Sequence, residues 1–354
     1  MESLIRKNIQ DLVAYKVDAP QYEIIVNANE SPYDFPMILK RQFTDDICNT
    51  DLNRYPEACF PELLNELSAY TGVPTDGIIC GSGSDELIAM INQAFVNAGD
   101  VVVSHSPSFD MYNIWAKISD SKHIRILDLP GHIPDVDGII KAACDNHAKL
   151  LYICNPNNPT GYTFAKKDII KILDAVPSLV VLDEAYIEFF GESDVDLLPN
   201  YPRLLILRTL SKAFGLAGIR CGYALGNKNI IDVLYKVKAP YNLNVLTQKM
   251  AVIALQNRDK VFKNLEEIKA EREKAMAVLK ELPSLTVYPS GANFIYFETP
   301  FAEKIYEVLL NRSILIKRFK ETGSCPESIR FSIGKPKENQ KILEIIKEVV
   351  YNEA

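Results

Sequence analysis

Apolar positions along the chain follow two alternating rhythms. Short continuous runs recur at Ile78-Ile79-Cys80, Val101-Val102-Val103, Leu150–Cys154, Leu179–Leu182, Leu204–Leu207 and Ile219–Leu225, and His123–Asp128 reads as a further short run. Their length and bounding turn residues predict buried strands. Between them the apolar residues fall at helical spacing. Leu87, Ile88, Ile91, Ala94 and Phe95 share one face, and Ala165–Ala175 reads as a helix. Pro61 opens another, at a first turn where its missing N–H costs nothing. This alternation predicts an α/β unit with a mostly parallel sheet sandwiched by helices. From about residue 240 the rhythm changes. Leu243–Leu255 and a longer stretch, Asp259–Leu282, read as helices. Leu285–Tyr288 and Phe294–Phe297 read as paired strands. A helix over 301–311, strands over 313–317 and 328–333, and a helix over 336–351 complete a smaller α+β unit. The expected division is an arm over 1–30, a large unit over 31–240 and a small unit over 241–354.

Polar residues concentrate just past the predicted strands. Asn155-Pro156-Asn157-Asn158-Pro159-Thr160-Gly161 follows Cys154, Asp183-Glu184-Ala185-Tyr186 follows Leu182, and Thr209-Leu210-Ser211-Lys212 follows Leu207-Arg208. Ligands of such sheets bind beyond the carboxyl ends of the strands. The residue types suit pyridoxal 5′-phosphate. Lys212 supplies an amine that can condense with its aldehyde. Asp183 supplies a carboxylate for the pyridine nitrogen. Asn158 and Tyr186 supply donors for the phenolic oxygen, and Arg220, Ser211 and Thr209 suit the phosphate. A strand, a glycine turn and a helix are predicted over 78–88, so Gly83, Ser84 and Asp85 offer a helix N-terminus to that phosphate. Phe109 can stack on the ring.

The motifs NANE (27–30), NRYPE (53–57), NPNNPTG (155–161), DEAYIEF (183–189), RTLSKAF (208–214), LAGIRCGY (216–223) and SIRFSIG (328–334) resemble those of the fold-type-I pyridoxal-phosphate aminotransferases. More narrowly, they resemble the histidinol-phosphate aminotransferase family, from about residue 5 to the C-terminus. The resemblance implies a large domain with a mostly parallel seven-stranded sheet and a smaller C-terminal α+β domain. It implies a homodimer in which Tyr55 reaches the partner's cofactor phosphate and the N-terminal arm crosses towards the partner. Arg330 is the expected carboxylate-binding arginine, and it could also take a phosphate. Tyr15, Asn29, Glu30 and one of Lys317 and Arg318 are further candidates for substrate contact. Where the family usually has tyrosine, Phe109 keeps the stacking surface and drops the hydroxyl. The implied reaction is amino transfer from histidinol phosphate to 2-oxoglutarate, giving imidazole-acetol phosphate and glutamate in histidine biosynthesis, with Lys212 as catalytic base. Competing readings are an aromatic or broad-specificity aminotransferase, a threonine-phosphate decarboxylase, and a cofactor-binding regulator.

Composition narrows the classes. A hydrophobic content of 47% and a charged content of 24% are those of a globular protein. The net charge of −7 argues against general nucleic-acid binding. Seven cysteines, irregularly spaced and without a C-x-x-C, favour a reducing cytoplasm over a disulfide framework. The four histidines show no metal-ligand spacing and read as surface or loop residues. No signal peptide and no membrane-spanning run is read.

Overall fold

This computed structural model describes residues 4–10, 12–14, 21–320 and 327–353. A short strand, β1 (Ile24–Ile25), precedes seven that form the central sheet: β2 (Ile78–Ser82), β3 (Val101–Ser106), β4 (Lys122–Leu127), β5 (Leu150–Cys154), β6 (Leu179–Asp183), β7 (Leu204–Thr209) and β8 (Cys221–Gly226). Their order across the sheet is β2-β8-β7-β6-β5-β3-β4. Helical crossovers keep β3 to β7 parallel. Only the loop Leu210–Arg220, with a single 3₁₀ turn, joins β7 to β8, so β8 returns antiparallel. That reversal brings the start of β8 to the edge where the other strands end.

Every residue of β5, β6, β7 and β8 is buried, as expected where helices cover both faces. Alternate side chains enter different cores. Leu151 and Ile153 pack with Ile169 and Ile172 of the helix Lys166–Ala175. Leu150 and Tyr152 pack with Leu87, Ile88 and Ile91 of the helix Gly83–Phe95. Each fully buried aliphatic side chain of this kind contributes about 1.5–3 kcal/mol relative to exposure.

The smaller unit contains β9 (Thr286–Val287), β10 (Phe294–Glu298), β11 (Ile314–Leu315), β12 (Lys317–Phe319) and β13 (Ser328–Ser332). Four of these form an antiparallel sheet ordered β12-β13-β10-β9. The helices Leu265–Lys280, Ala302–Asn311 and Pro336–Glu353 pack against it. The single strand expected over 313–317 is two. β12 joins this sheet, whereas β11 pairs in parallel with β1, so Ile24 and Val26 lie in the small unit's core. The boundary expected at 240 falls one helix too early for the packing: Met250, Ala251 and Val252 of the helix Val245–Gln256 sit in the large unit's core. The long helix expected over 259–282 is broken by a 3₁₀ turn at Phe262–Asn264.

The histidines correct the reading of all four as surface or loop residues. His147 is exposed. His105 is buried in β3, where its Nδ1 lies 2.9 Å from Asp128 Oδ1. His132 is buried against Glu298, with Nε2 2.7 Å from Oε1, and His123 is half-buried on β4. The carboxylate partners of His105 and His132 lie 23 and 166 residues further along the chain, which spacing does not reveal. Among the described residues, no helix is long and apolar enough to cross a membrane.

Candidate active site

The sheet topology brings four polar chain segments to one edge. β5 ends at Cys154 and runs into the Asn155–Gly161 turn, β6 ends at Asp183, and β7 ends at Thr209 just ahead of Ser211 and Lys212. β8 starts there, with Cys221 opposite Ser82 and Gly222 opposite Thr209, so Arg220 stands beside the start of the helix Gly83–Phe95. These segments and the small unit enclose a cavity of about 830 Å³. Asn29, Ser84, Asp85, Phe109, Asn158 and Asp183 line it, as do Tyr186, Thr209, Ser211, Lys212, Arg220 and Arg330.

Lys212 is half-buried and donates from Nζ to the carbonyl of Ala28 at 2.8 Å. Burial, reinforced by the nearby positive charge of Arg330, lowers its amine from the usual lysine range to about 8. A fraction of it is therefore unprotonated, and nucleophilic, near neutral pH. Asp183 is 2% exposed. Its Oδ1 accepts the Ala185 N–H at 3.1 Å and its Oδ2 accepts the Tyr112 hydroxyl at 2.8 Å. Burial nonetheless raises the carboxyl to about 6. The neighbouring Glu184, also buried, bonds elsewhere, to Arg208 at 2.8 Å and to Ser193. That ion pair links the ends of β6 and β7, from which Asp183 and Lys212 emerge.

The anion-facing end is built on backbone conformation. Gly83 has φ +76°, and a Cβ there would lie 2.3 Å from Arg220 Nη2. That positive φ favours glycine, and a side chain there would displace the guanidinium. Arg220 itself has φ +55°, a rare conformation for a residue with a side chain. Its Nη2 lies 3.0 Å from Asp85 Oδ2. The helix has no side-chain cap at Ser82, and its first N–H, that of Gly83, donates to the Arg220 carbonyl at 3.1 Å, which ties that arginine to the helix start. Thr209 Oγ1 donates to Ser211 Oγ at 3.0 Å.

Arg330, on β13 of the small unit, is 7% exposed. It donates to Asn158 Oδ1, and at 2.7 Å to the carbonyl of Asn27. Its guanidinium lies 5.4 Å from the Phe294 ring centre and 5.7 Å from that of Phe319. Asn29 donates to the Tyr186 hydroxyl at 2.9 Å, leaving that hydroxyl's own proton to reach an acceptor. Phe109 meets Tyr112 edge to face, with centroids 5.6 Å apart.

Tyr55, expected at the partner's site, does not line this chain's own cavity. Tyr55 is 80% exposed and stacks on Tyr241 at 4.5 Å, away from the cavity wall. Tyr15 lies outside the described residues. Two contributors leave no signal in the sequence. The Ala28 carbonyl has no residue signature. Tyr112 sits at helical spacing on an apolar face and reads as core.

Residues 24–346 match the family model "Aminotransferase class I and II". The chain belongs to the class I and II aminotransferases. A histidinol-phosphate aminotransferase of Thermoanaerobacter pseudethanolicus is 38% identical over 351 residues, 99% of each chain. That of Ruminiclostridium cellulolyticum is 35% identical over 356 residues, again covering 99% of each. Among solved structures, the histidinol-phosphate aminotransferase of Clostridium acetobutylicum superposes with TM-score 0.85 at 28% identity, over 93% of this chain and 99% of that one. The Sinorhizobium meliloti enzyme, solved with pyridoxal-5′-phosphate, has TM-score 0.90 at 23% identity over 99% of each chain, which shows the shared aminotransferase fold.

The cofactor of such aminotransferases fits this cavity on physical grounds. It is an anion with an aldehyde and a basic ring nitrogen. The cavity offers a helix N-terminus with an arginine, an amine lowered towards neutrality, and a buried carboxylate with lone pairs to spare.

Proposed function

We propose that this chain is a histidinol-phosphate aminotransferase, transferring the amino group of histidinol phosphate to 2-oxoglutarate. The carrying observation is the half-buried Lys212 amine, which shares one cavity with the buried Asp183 and with Arg330. The 38% identity to a relative of that name over 99% of both chains supports the substrate.

In this reading Lys212 holds pyridoxal 5′-phosphate, and Asp183 faces its ring nitrogen. Tyr186 and Asn158 donate to its phenolic oxygen. Gly83, Ser84, Asp85, Thr209, Ser211 and Arg220 surround its phosphate, and Phe109 covers its ring against water. Once bound, the cofactor supplies an electron-withdrawing ring to the donor's amine-bearing carbon. Lys212 Nζ would take the proton from that carbon as a general base; its lowered proton affinity suits work near neutral pH. Asp183, as the anion, keeps positive charge on the ring nitrogen. Arg330, with Lys317 beside it, holds the phosphate ester of one substrate and the carboxylate of the other. Asn29 and Glu30 border the same space. The enzyme is cytoplasmic and works as a homodimer whose partner lends Tyr55. Its small unit begins after the helix Val245–Gln256.

The test is the absorption of the bound cofactor while histidinol phosphate is added without an acceptor. A shift of the visible band, reversed by 2-oxoglutarate, is expected. Indifference to histidinol phosphate with a response to aromatic amino acids would establish the broader aminotransferase reading instead. Release of carbon dioxide from threonine phosphate would establish the decarboxylase.

A further inference from the structure

Tyr112 is fully buried in the helix Met111–Ile118 and is absent from every motif considered above. Its hydroxyl donates to Asp183 Oδ2 at 2.8 Å, across 71 residues of chain. The ring is fixed on both sides. It stacks on Tyr152 with centroids 4.5 Å apart and planes 6° from parallel, and Phe109 meets it edge to face. Tyr152 is anchored in turn, its hydroxyl accepting from Asn92 Nδ2 at 2.9 Å. A phenylalanine would fill the same space and make the same ring contacts. The hydroxyl therefore has a purpose apart from packing, because a buried hydroxyl needs a partner and this one is aimed at an acid.

We propose that Tyr112 is a positioning residue for amino transfer, its hydroxyl orienting Asp183 and holding it ionised opposite the cofactor's ring nitrogen. The inference rests on the proposed role of Asp183. A carboxylate facing a pyridinium shares one proton with it, and the proton stays on nitrogen only if the carboxylate is the weaker base. Burial acts against that, since it favours the neutral acid. Of the charged groups around the cavity, the carboxylates of Asp85 and Glu184 bear most on Asp183, and they push the same way. The groups that counter burial are two hydrogen-bond donors, the Ala185 N–H and the Tyr112 hydroxyl. The backbone donor is fixed by the fold, so Tyr112 is the side chain that tunes this acid. The Tyr112 phenol is itself pushed well above its ordinary range by burial and by Asp183, so it remains a donor throughout the working pH range. Loss of the hydroxyl lets the proton drift from the ring nitrogen to Asp183, and the ring then withdraws fewer electrons.

The experiment uses the holoenzyme loaded with pyridoxal phosphate carrying ¹⁵N in its ring, and reads the nitrogen chemical shift beside kcat and KM. Wild type is expected to show a protonated nitrogen. Tyr112→Phe is expected to move the shift towards that of neutral pyridine and to lower kcat about 10- to 100-fold with KM nearly unchanged, as for a lost hydrogen bond to a charged group. Tyr152→Phe removes a neighbouring buried hydroxyl that does not touch Asp183, and should leave the shift in place. A fluorinated tyrosine at position 112 preserves the fold and strengthens the donor, and should hold the nitrogen at least as fully protonated as in wild type. A wild-type nitrogen that is not protonated would overturn the role of Asp183, and this inference with it. A protonated wild type with an unmoved shift in Tyr112→Phe would overturn the inference alone. So would a shift that Tyr152→Phe reproduces, or a neutral nitrogen with the fluorinated residue.

Discussion

Lys317 stands directly opposite Arg330 in the antiparallel pairing of β12 with β13, so the two side chains share one face of the small sheet. Arg318, one residue on, is paired with Ile329; it also reaches the cavity wall, but its guanidinium is already engaged. It is bound to Glu303 at 2.7 Å and Glu327 at 2.6 Å. These ion pairs thus distinguish two cations that are adjacent in sequence. Tyr296 is also paired with Arg330, so aromatic and cationic groups meet on the face that borders the cavity.

Substrate kinetics should follow that division. Arg330→Gln should raise KM for histidinol phosphate about 10- to 100-fold, as for lost charge-assisted bonds. Lys317→Ala should raise it less, through loss of a point charge at a wetter position. Arg318→Gln should lower thermal stability while leaving KM near wild type. Steady-state kinetics of the three variants decides the matter; a larger KM effect from Arg318 than from Lys317 would reverse the assignment.

Lys212 carries a second expectation. With its amine lowered to about 8, the cofactor-free chain should condense with pyridoxal phosphate at a rate that rises with pH and half-saturates near that value, not in the range of exposed lysine. The sign follows from burial, which penalises the ammonium form, so the reactive free amine appears earlier. Stopped-flow absorbance across pH 6–10 measures it. Lys212→Ala should abolish the absorbance change and lower turnover by on the order of 10²–10⁴ or more.

Much of this site was legible because strand ends concentrate chemistry. Asp183, Lys212 and Asn158 each follow an apolar run, and a mostly parallel sheet brings such ends together. The antiparallel return of β8 was not read, although the stretch between Leu207 and Cys221 contains no helix-length apolar pattern. The Tyr112–Asp183 and His105–Asp128 contacts were hidden for another reason. Each joins a polar atom on an apolar element to a distant acid, and periodicity reports which face a residue occupies, not what its tip meets. The small unit's second short strand was missed because Ile314-Leu315 and Lys317–Phe319 are contiguous in sequence yet pair with different partners.

Tyr55 offers a test of the proposed homodimer. If the partner supplies it, Tyr55→Phe should weaken cofactor binding about 10- to 100-fold, the worth of one hydrogen bond to a charged phosphate. Mixing the variants makes the origin visible. A hybrid of one Lys212→Ala chain and one Tyr55→Phe chain contains one site with an intact Lys212 and, in the shared arrangement, an intact Tyr55 from the other chain. Cofactor retention at that site should return to the wild-type level. No recovery in the hybrid would place Tyr55 in its own chain's site or outside any site.

Asp183 should also leave a mark on stability. In the cofactor-free chain its carboxyl is raised to about 6 from an ordinary value of 3.8, chiefly by burial. The folded state therefore binds this proton more tightly than the unfolded state. Between these two values the folded chain carries more protons, so its stability falls as pH rises. The contribution is on the order of 2–3 kcal/mol, complete above about pH 6. Glu188 and Asp194 are raised by burial as well, to about 7 and about 6, so the pH profile of wild type alone does not isolate Asp183. Asp183→Asn does. The isosteric amide removes the titration, so denaturant unfolding of wild type and variant should converge at pH 4 and diverge by pH 7, with the variant the more stable when both lack cofactor. Adding pyridoxal phosphate should reverse the ranking at pH 7, because the ring nitrogen's positive charge compensates the buried carboxylate and the amide cannot match it. A variant that stays more stable with cofactor bound would show that Asp183 does not face that charge.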